Sequence, residues 1–144
     1  MEVDVKSDNM ISVFTATFNR MHTLPRLYNS LLGQSHTSFE WIVIDDGSQD
    51  STDDLIKTWL DQVNKKFSIT YVKTENRGKS RAINAGILLA SKKSDLFYIV
   101  DSDDFLPPDA LERVNLHWNH VKDDPSCAGI AGCCIDTSGR LGCV

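Results

Sequence analysis

The chain has 144 residues, 41% hydrophobic and 24% charged, the balance of one ordinary globular domain with a real core. Its formal net charge is −5, from 20 acidic and 15 basic side chains. That excludes the basic surplus of a typical nucleic-acid-binding surface, and no apolar run approaches the ~20 residues that cross a bilayer.

Residues 1–10 are polar and acidic, which reads as a flexible tail and not as a secretory signal. Ile11 to Ala16 reads as a first buried strand, followed by the turn Thr17-Phe18-Asn19-Arg20. Thr23 then caps a helix whose apolar stripe runs Leu24, Leu27, Tyr28, Leu31 and Leu32, with Pro25 in its first turn and Gly33 at its end. Phe39 to Ile44 is a second strand, stopped by Asp45-Asp46-Gly47-Ser48. Asp50 or Ser51 caps the next helix, which carries Leu55, Ile56, Trp59, Leu60 and Val63.

Phe67 to Val72 is a third strand, and Ser80 to Ala90 a helix. Asp95 to Val100 is a fourth strand, ending in Asp101-Ser102-Asp103-Asp104. Pro107-Pro108-Asp109 opens a further helix, and Ala128 to Ile135 reads as a fifth strand of small residues. The order β-α-β-α-β-α-β-α-β predicts a Rossmann-like, doubly wound, mainly parallel sheet with helices on both faces. Four cysteines, Cys127, Cys133, Cys134 and Cys143, lie near the C-terminus without a C-x-x-C pair. They read as small core residues of a reduced, intracellular protein, with a metal or redox role as the alternative.

The chemistry gathers at the strand ends. In a parallel sheet the ends of strands one, two and four share one edge, which brings Thr17 and Asn19 beside Asp45, Asp46, Asp101, Asp103 and Asp104. If the first strand lies between the second and fourth, these residues face the crevice where open α/β sheets bind ligands. Three carboxylates within four residues repel one another unless a cation stabilises them, and a divalent metal with oxygen ligands is the simplest resident. An acidic turn capping the next helix is the plainer alternative, and Asp46-Gly47-Ser48 likewise reads as a turn. Arg77-Gly78-Lys79-Ser80-Arg81 sets cations at a helix N-terminus, an arrangement suited to phosphate but not a P-loop. A solvated helix face is the alternative for Lys79 and Arg81. Together with a metal on the same edge, these cations suggest a diphosphate.

In sequence order, residues 12–20, Leu31-Leu32-Gly33-Gln34-Ser35, residues 39–52, residues 75–87, Asp101-Ser102-Asp103-Asp104, Pro108-Asp109 and Leu111-Glu112 make a specific set. In this set the chain resembles the family 2 glycosyltransferases with the GT-A fold, from residue 11 to about 140. The resemblance implies transfer of a sugar, with inversion, from a nucleotide-diphospho-sugar donor, most readily UDP-linked, to an acceptor hydroxyl of a glycan or lipid-linked molecule. It implies Mg²⁺ or Mn²⁺ on the diphosphate, held by Asp103 with Asp104 in support. Asp46 would read the base edge, Thr17, Asn19 and Asp45 would line the nucleotide pocket, and Asp101 would contact the ribose. Lys79 and Arg81 would approach the phosphates.

Ala16 and Ile83 stand where the family often has Pro and Arg. The family's catalytic base falls in a later acidic motif, so no catalytic residue is expected in this chain, and the base is expected beyond Val144. Residues 11–144 would then be the donor-binding part of a longer enzyme, cytoplasmic and peripheral to the inner membrane face, and inactive alone. A non-catalytic nucleotide-binding module of the same fold is the alternative. A receiver-like domain is disfavoured because the acidic pair follows the second strand and not the first. A phosphohydrolase is disfavoured because Phe105-Leu106 follows the acidic motif where Thr or Val would be required.

Overall fold

The computed structural model describes residues 8–62 and 66–140. In chain order its elements are β1 (Ile11–Thr17), α1 (Leu24–Leu32), β2 (Phe39–Asp45), α2 (Thr52–Leu60), β3 (Ser68–Lys73), α3 (Lys79–Leu89), β4 (Leu96–Ile99) and α4 (Ala110–Val121). The strands form one sheet in the order β3-β2-β1-β4. All three pairings are parallel, with Thr17 opposite Asp45 and Phe14 opposite Ile99. β1 therefore lies between β2 and β4, the arrangement that opens a crevice at its carboxyl end.

The alternation of side chains along β1 and β2 divides the core in two. Ile11, Val13, Phe39, Trp41 and Val43 pack with Leu24, Leu27, Tyr28, Ile56, Trp59 and Leu111 of α1, α2 and α4. Tyr28 is the hub of this layer, stacking on Trp59 at a centroid distance of 4.2 Å and on Trp41 at 6.1 Å. On the other face, Phe14, Ile42 and Ile44 pack against Ala82, with Ile83 and Ala85 joining them. α3 comes close to the sheet because it carries Gly86 there: a Cβ on Gly86 would stand 2.3 Å from the Phe14 ring.

The expected boundaries shift by a residue or so, and the physical surprises lie elsewhere. Thr23 precedes α1 but makes no side-chain cap; its hydroxyl donates to the Arg20 carbonyl in the preceding turn. At α2 the capping acceptor is Asp50, whose Oδ1 takes the Thr52 N–H at 3.0 Å, whereas Ser51 makes no cap bond. The expected fifth strand does not form: 128–134 is irregular, and only Ile135 makes an isolated bridge. A run of Ala, Gly and Cys has little side-chain surface to pack, and its glycines carry a large entropic cost of ordering.

Cys133 and Cys134 are consequently exposed and Cys127 half-buried, which corrects their assignment to the core. Cys143 and Val63 lie outside the described residues, as do residues 1–7 of the expected tail. The described end of that tail is anchored: Asn9 is buried and donates its backbone N–H and its amide to Asn115 Oδ1 on α4. Among the described residues no helix is long and apolar enough to cross a membrane.

Candidate functional site

Asp45 and Asp46 are adjacent in sequence and opposite in direction, as the two-residue period of a strand requires. Asp45 is fully buried; its Oδ1 accepts the Ser48 N–H and its Oδ2 the Tyr71 hydroxyl, each at 2.8 Å. Burial, and then the neighbouring Asp45 carboxylate, push the Tyr71 phenol far above its ordinary range. Both oxygens of Asp45 thus serve the fold, and of the carboxylates expected to face the crevice this one does not.

Asp46 turns toward α3. Its Oδ1 accepts the backbone N–H of Arg77 at 2.7 Å and its Oδ2 that of Gly78 at 2.8 Å. This paired grip sets the loop that starts α3, and Gly78 supplies the positive φ of 91° the loop needs. Beside it opens a shallow cleft of about 390 Å³ lined by Ile44, Asp46, Thr74, Glu75, Arg77 and Arg81.

The two cations expected to act together are separated. Arg81 lines the cleft beside Asp46. Lys79 reaches the other way, its Nζ 2.5 Å from Asp101 Oδ1 at the end of β4. Ile83, standing where the resemblance places an arginine, is absorbed into the apolar layer under the sheet.

After β4 the chain makes a tight turn, in which the Asp104 N–H donates to the Asp101 carbonyl at 3.0 Å. Ser102 is buried while Asp101, Asp103 and Asp104 are exposed. Desolvation, followed by the charges of Asp103 and Asp101, raises the Asp104 carboxyl above its ordinary value. Mutually repelling hard-oxygen donors of this kind fit a divalent cation such as Mg²⁺ or Mn²⁺. Among the described residues no group of three or more His, Cys, Asp or Glu converges on a single point. What the turn supplies among the described residues is exposed carboxylates and not an all-protein cage.

Thr17 is the last residue of β1, and Asn19 lies in the loop that follows it. Thr17 is 2% exposed, and its hydroxyl is buried without a hydrogen-bond partner in the described structure. Asn19 adopts the left-handed φ of 53° that Asn tolerates. Its N–H donates to Ser48 Oγ and its Oδ1 accepts the Gln49 N–H, both at 2.8 Å. Asn19 thus ties the loop after β1 to the loop after β2, a shaping role not legible from its residue type.

The sequence reading also missed the roles of three residues on α1 and just past its end. Arg26 donates to the Asp103 carbonyl, Ser30 Oγ accepts the Leu106 N–H at 3.1 Å, and Gln34 Nε2 donates to the Pro107 carbonyl at 2.7 Å. The four-residue spacing of Arg26 and Ser30, one helical turn, is the signal that could have revealed those two.

A parallel sheet with β1 as an inner strand, carboxylates beyond the strands on both sides of it and cations at a helix N-terminus define a Rossmann-like α/β domain. Residues 12–140 match the family model for glycosyl transferase family 2, and the chain belongs to that family. It is 34% identical over 104 residues to an uncharacterized glycosyltransferase of Nostoc sp., covering 72% of this chain and 31% of the relative. Over 104 residues it is 31% identical to the putative teichuronic acid biosynthesis glycosyltransferase TuaG of Bacillus subtilis, covering 72% of this chain and 40% of the relative.

The fold is that of the GT-A glycosyltransferases. S. aureus TarS 1-349, solved in complex with UDP-GlcNAc, superposes with a TM-score of 0.70 at 23% identity, covering 85% of this chain and 37% of that one. The mannosyltransferase PcManGT from Pyrobaculum calidifontis, solved with GDP-Man and Mn²⁺, gives 0.67 at 24% identity, covering 81% and 33%. The chain spans well under half the length of these relatives.

Proposed function

We propose that residues 11–140 bind a nucleotide-diphospho-sugar, UDP-linked by preference, together with Mg²⁺ or Mn²⁺, and that the whole protein transfers the sugar to an acceptor hydroxyl with inversion. The observation that carries this reading is the placement of Asp46 and of the Asp101–Asp104 carboxylates on opposite sides of β1, at one edge of the sheet. The ligands in the two related complexes, UDP-GlcNAc and GDP-Man with Mn²⁺, support it.

In this reading Asp46 accepts an N–H from the base while holding the 77–78 loop, and Arg81 closes the same cleft. Asp101 meets the ribose, and Thr17, at the end of β1, lines the base and ribose pocket. Lys79 exchanges its ion pair with Asp101 for the phosphates. Asp103, with Asp104, holds the cation. When bound, the cation stabilises the charge that grows on the departing nucleoside diphosphate.

Activation of the acceptor hydroxyl needs a general base. Asp136, the last acidic residue of the chain, is a poor candidate. Its Oδ1 accepts the Ser138 hydroxyl and the N–H groups of Ser138 and Arg140, which depress its carboxyl below the ordinary value. We assign the base to sequence outside residues 1–144. The glycan or lipid-linked acceptor and a cytoplasmic, membrane-peripheral setting belong to the same proposal.

Calorimetric titration with UDP, with and without Mn²⁺, tests the donor reading. Binding is expected to tighten with Mn²⁺, and Asp103→Ala to remove the metal-dependent part; unaltered Mn²⁺ dependence in that variant would remove Asp103 from the role. The second reading, a binding module without transfer, is favoured by the engaged state of Asp136. Sugar transfer by the 144-residue chain itself, at a rate ordinary for such enzymes, would exclude both that reading and the assignment of the base.

A further inference from the structure

The loop that carries Asp103 and Asp104 is an exposed turn after a four-residue strand, and short exposed turns are mobile by default. Here it is fastened to α1 and to the residues that follow that helix. Arg26 donates to the Asp103 carbonyl, and its guanidinium lies 5.0 Å from the centroid of the Phe105 ring, within the range of a cation–π contact. One turn further on, Ser30 Oγ accepts the Leu106 N–H and donates to the Leu27 carbonyl at 2.7 Å, so it is fixed from both sides. Two residues past the end of α1, the buried Gln34 donates to the Pro107 carbonyl and accepts the Leu111 N–H at 3.0 Å. Finally, the Ser35 N–H donates to the Pro108 carbonyl at 2.9 Å.

The attachment is graded. Its far end, at Gln34, is buried and holds the start of α4, an architectural task. Its near end, at Arg26, is exposed and grips the backbone of Asp103 itself. A planar guanidinium suits both duties, since it donates in a fixed direction and stacks on a ring. From this we infer that α1 clamps the carboxylate loop and that Arg26 is a positioning residue for Asp103 and Asp104, acting on the bound cation without touching it. The inference rests on the reading of Asp103 as a metal carboxylate.

Two effects of Arg26 oppose each other. As a positive charge near the carboxylates it disfavours a cation, whereas as a clamp it pre-forms the site. Between exposed groups the Coulomb part is small and screened by salt, so the clamp is expected to dominate. The experiment is Mn²⁺ titration at saturating UDP, followed by the paramagnetic resonance of free Mn²⁺, on the full chain and on Arg26→Ala and Arg26→Lys at ordinary and raised salt. Metal-free melting temperatures serve as the control for folding.

Arg26→Ala is expected to weaken Mn²⁺ binding about fivefold to twentyfold, equivalent to about 1–1.8 kcal/mol. Arg26→Lys is expected to weaken it by a smaller factor, and metal-free melting to stay within a degree or two for both. Unchanged or tighter Mn²⁺ binding in Arg26→Ala, with a normal response to Asp103→Ala, overturns the clamp and leaves the metal reading standing. Full binding by Arg26→Lys beside weakened binding by Arg26→Ala supports the clamp and assigns it to the hydrogen bond donated to Asp103, not to the Phe105 contact. Absence of any Mn²⁺ binding by the unaltered chain overturns the metal reading and the clamp with it.

Discussion

Lys79 Nζ stands 2.5 Å from Asp101 Oδ1, joining the first residue of α3 to the end of β4 across the mouth of the crevice. Both side chains are about half exposed, so the pair contributes little to folding, ~1 kcal/mol at most. Its significance is positional: it holds a cation where the proposed diphosphate enters. Lys79→Met is therefore expected to shift the melting temperature little while weakening UDP binding about tenfold, and to flatten the dependence of that binding on salt. A large loss of stability with unaltered affinity would reverse the assignment.

Asp46 illustrates a residue with two duties. Asp46→Asn replaces one acceptor oxygen by a donor that faces an N–H, leaving one of the Arg77 and Gly78 amides without its partner. An unpaired polar group of this kind costs about 1–3 kcal/mol. Faster hydrogen exchange at those two amides is expected, along with a loss of UDP affinity of tenfold or more.

Tyr71 and Asp45 form the architectural counterpart. Tyr71→Phe leaves Asp45 Oδ2 without its donor at a fully buried site, with an expected loss of about 1–3 kcal/mol in denaturant unfolding and UDP affinity within twofold of the original. The phenol's raised pKa gives a signed pH effect. The native chain keeps the Tyr71 proton where the unfolded chain loses it, so this stabilisation is complete below pH ~10 and declines as the pH rises further. The slope of stability against pH in that alkaline range is expected to shrink in Tyr71→Phe.

Asp104 predicts a conflict between stability and binding. Its carboxyl is raised by desolvation and by the negative charges of Asp103 and Asp101, so its ionised form works against the metal-free fold. The native state holds this proton more tightly than the unfolded state, and stability declines as the pH rises through the carboxylate range. Asp104→Asn is expected to raise the metal-free melting temperature slightly and to weaken Mn²⁺ binding, as when a site is kept charged for function. A variant that is both less stable and unaltered in Mn²⁺ affinity would contradict this.

Gly86 is fixed by packing. Gly86→Ala puts a methyl group 2.3 Å from the Phe14 ring, which is buried and has nowhere to move. Overpacking of this kind costs about 1–3 kcal/mol. Chemical denaturation is expected to show that loss, with partial recovery when Phe14→Leu is added.

The sequence by itself determined the order of elements from β1 to α4, because apolar periodicity and Gly, Pro and Asp punctuation are local signals. It also determined that Asp46, Lys79 and the Asp101–Asp104 run share one edge, because in a parallel sheet strand ends must. It did not decide which of these side chains face the crevice. Asp45 and Asp46 differ by one residue, and only the alternation of β2 against its two helical layers sends one into the fold and the other toward α3. Nor did it separate Arg81 from Lys79, whose directions depend on how α3 leaves Gly78. The fifth strand failed for a related reason: a strand needs a partner and a packed face, and the sequence of 128–135 specifies neither. The clamp of Arg26, Ser30 and Gln34 joins residues more than seventy positions apart, so its spacing carried meaning only once the chain had returned to lay the carboxylate loop along α1.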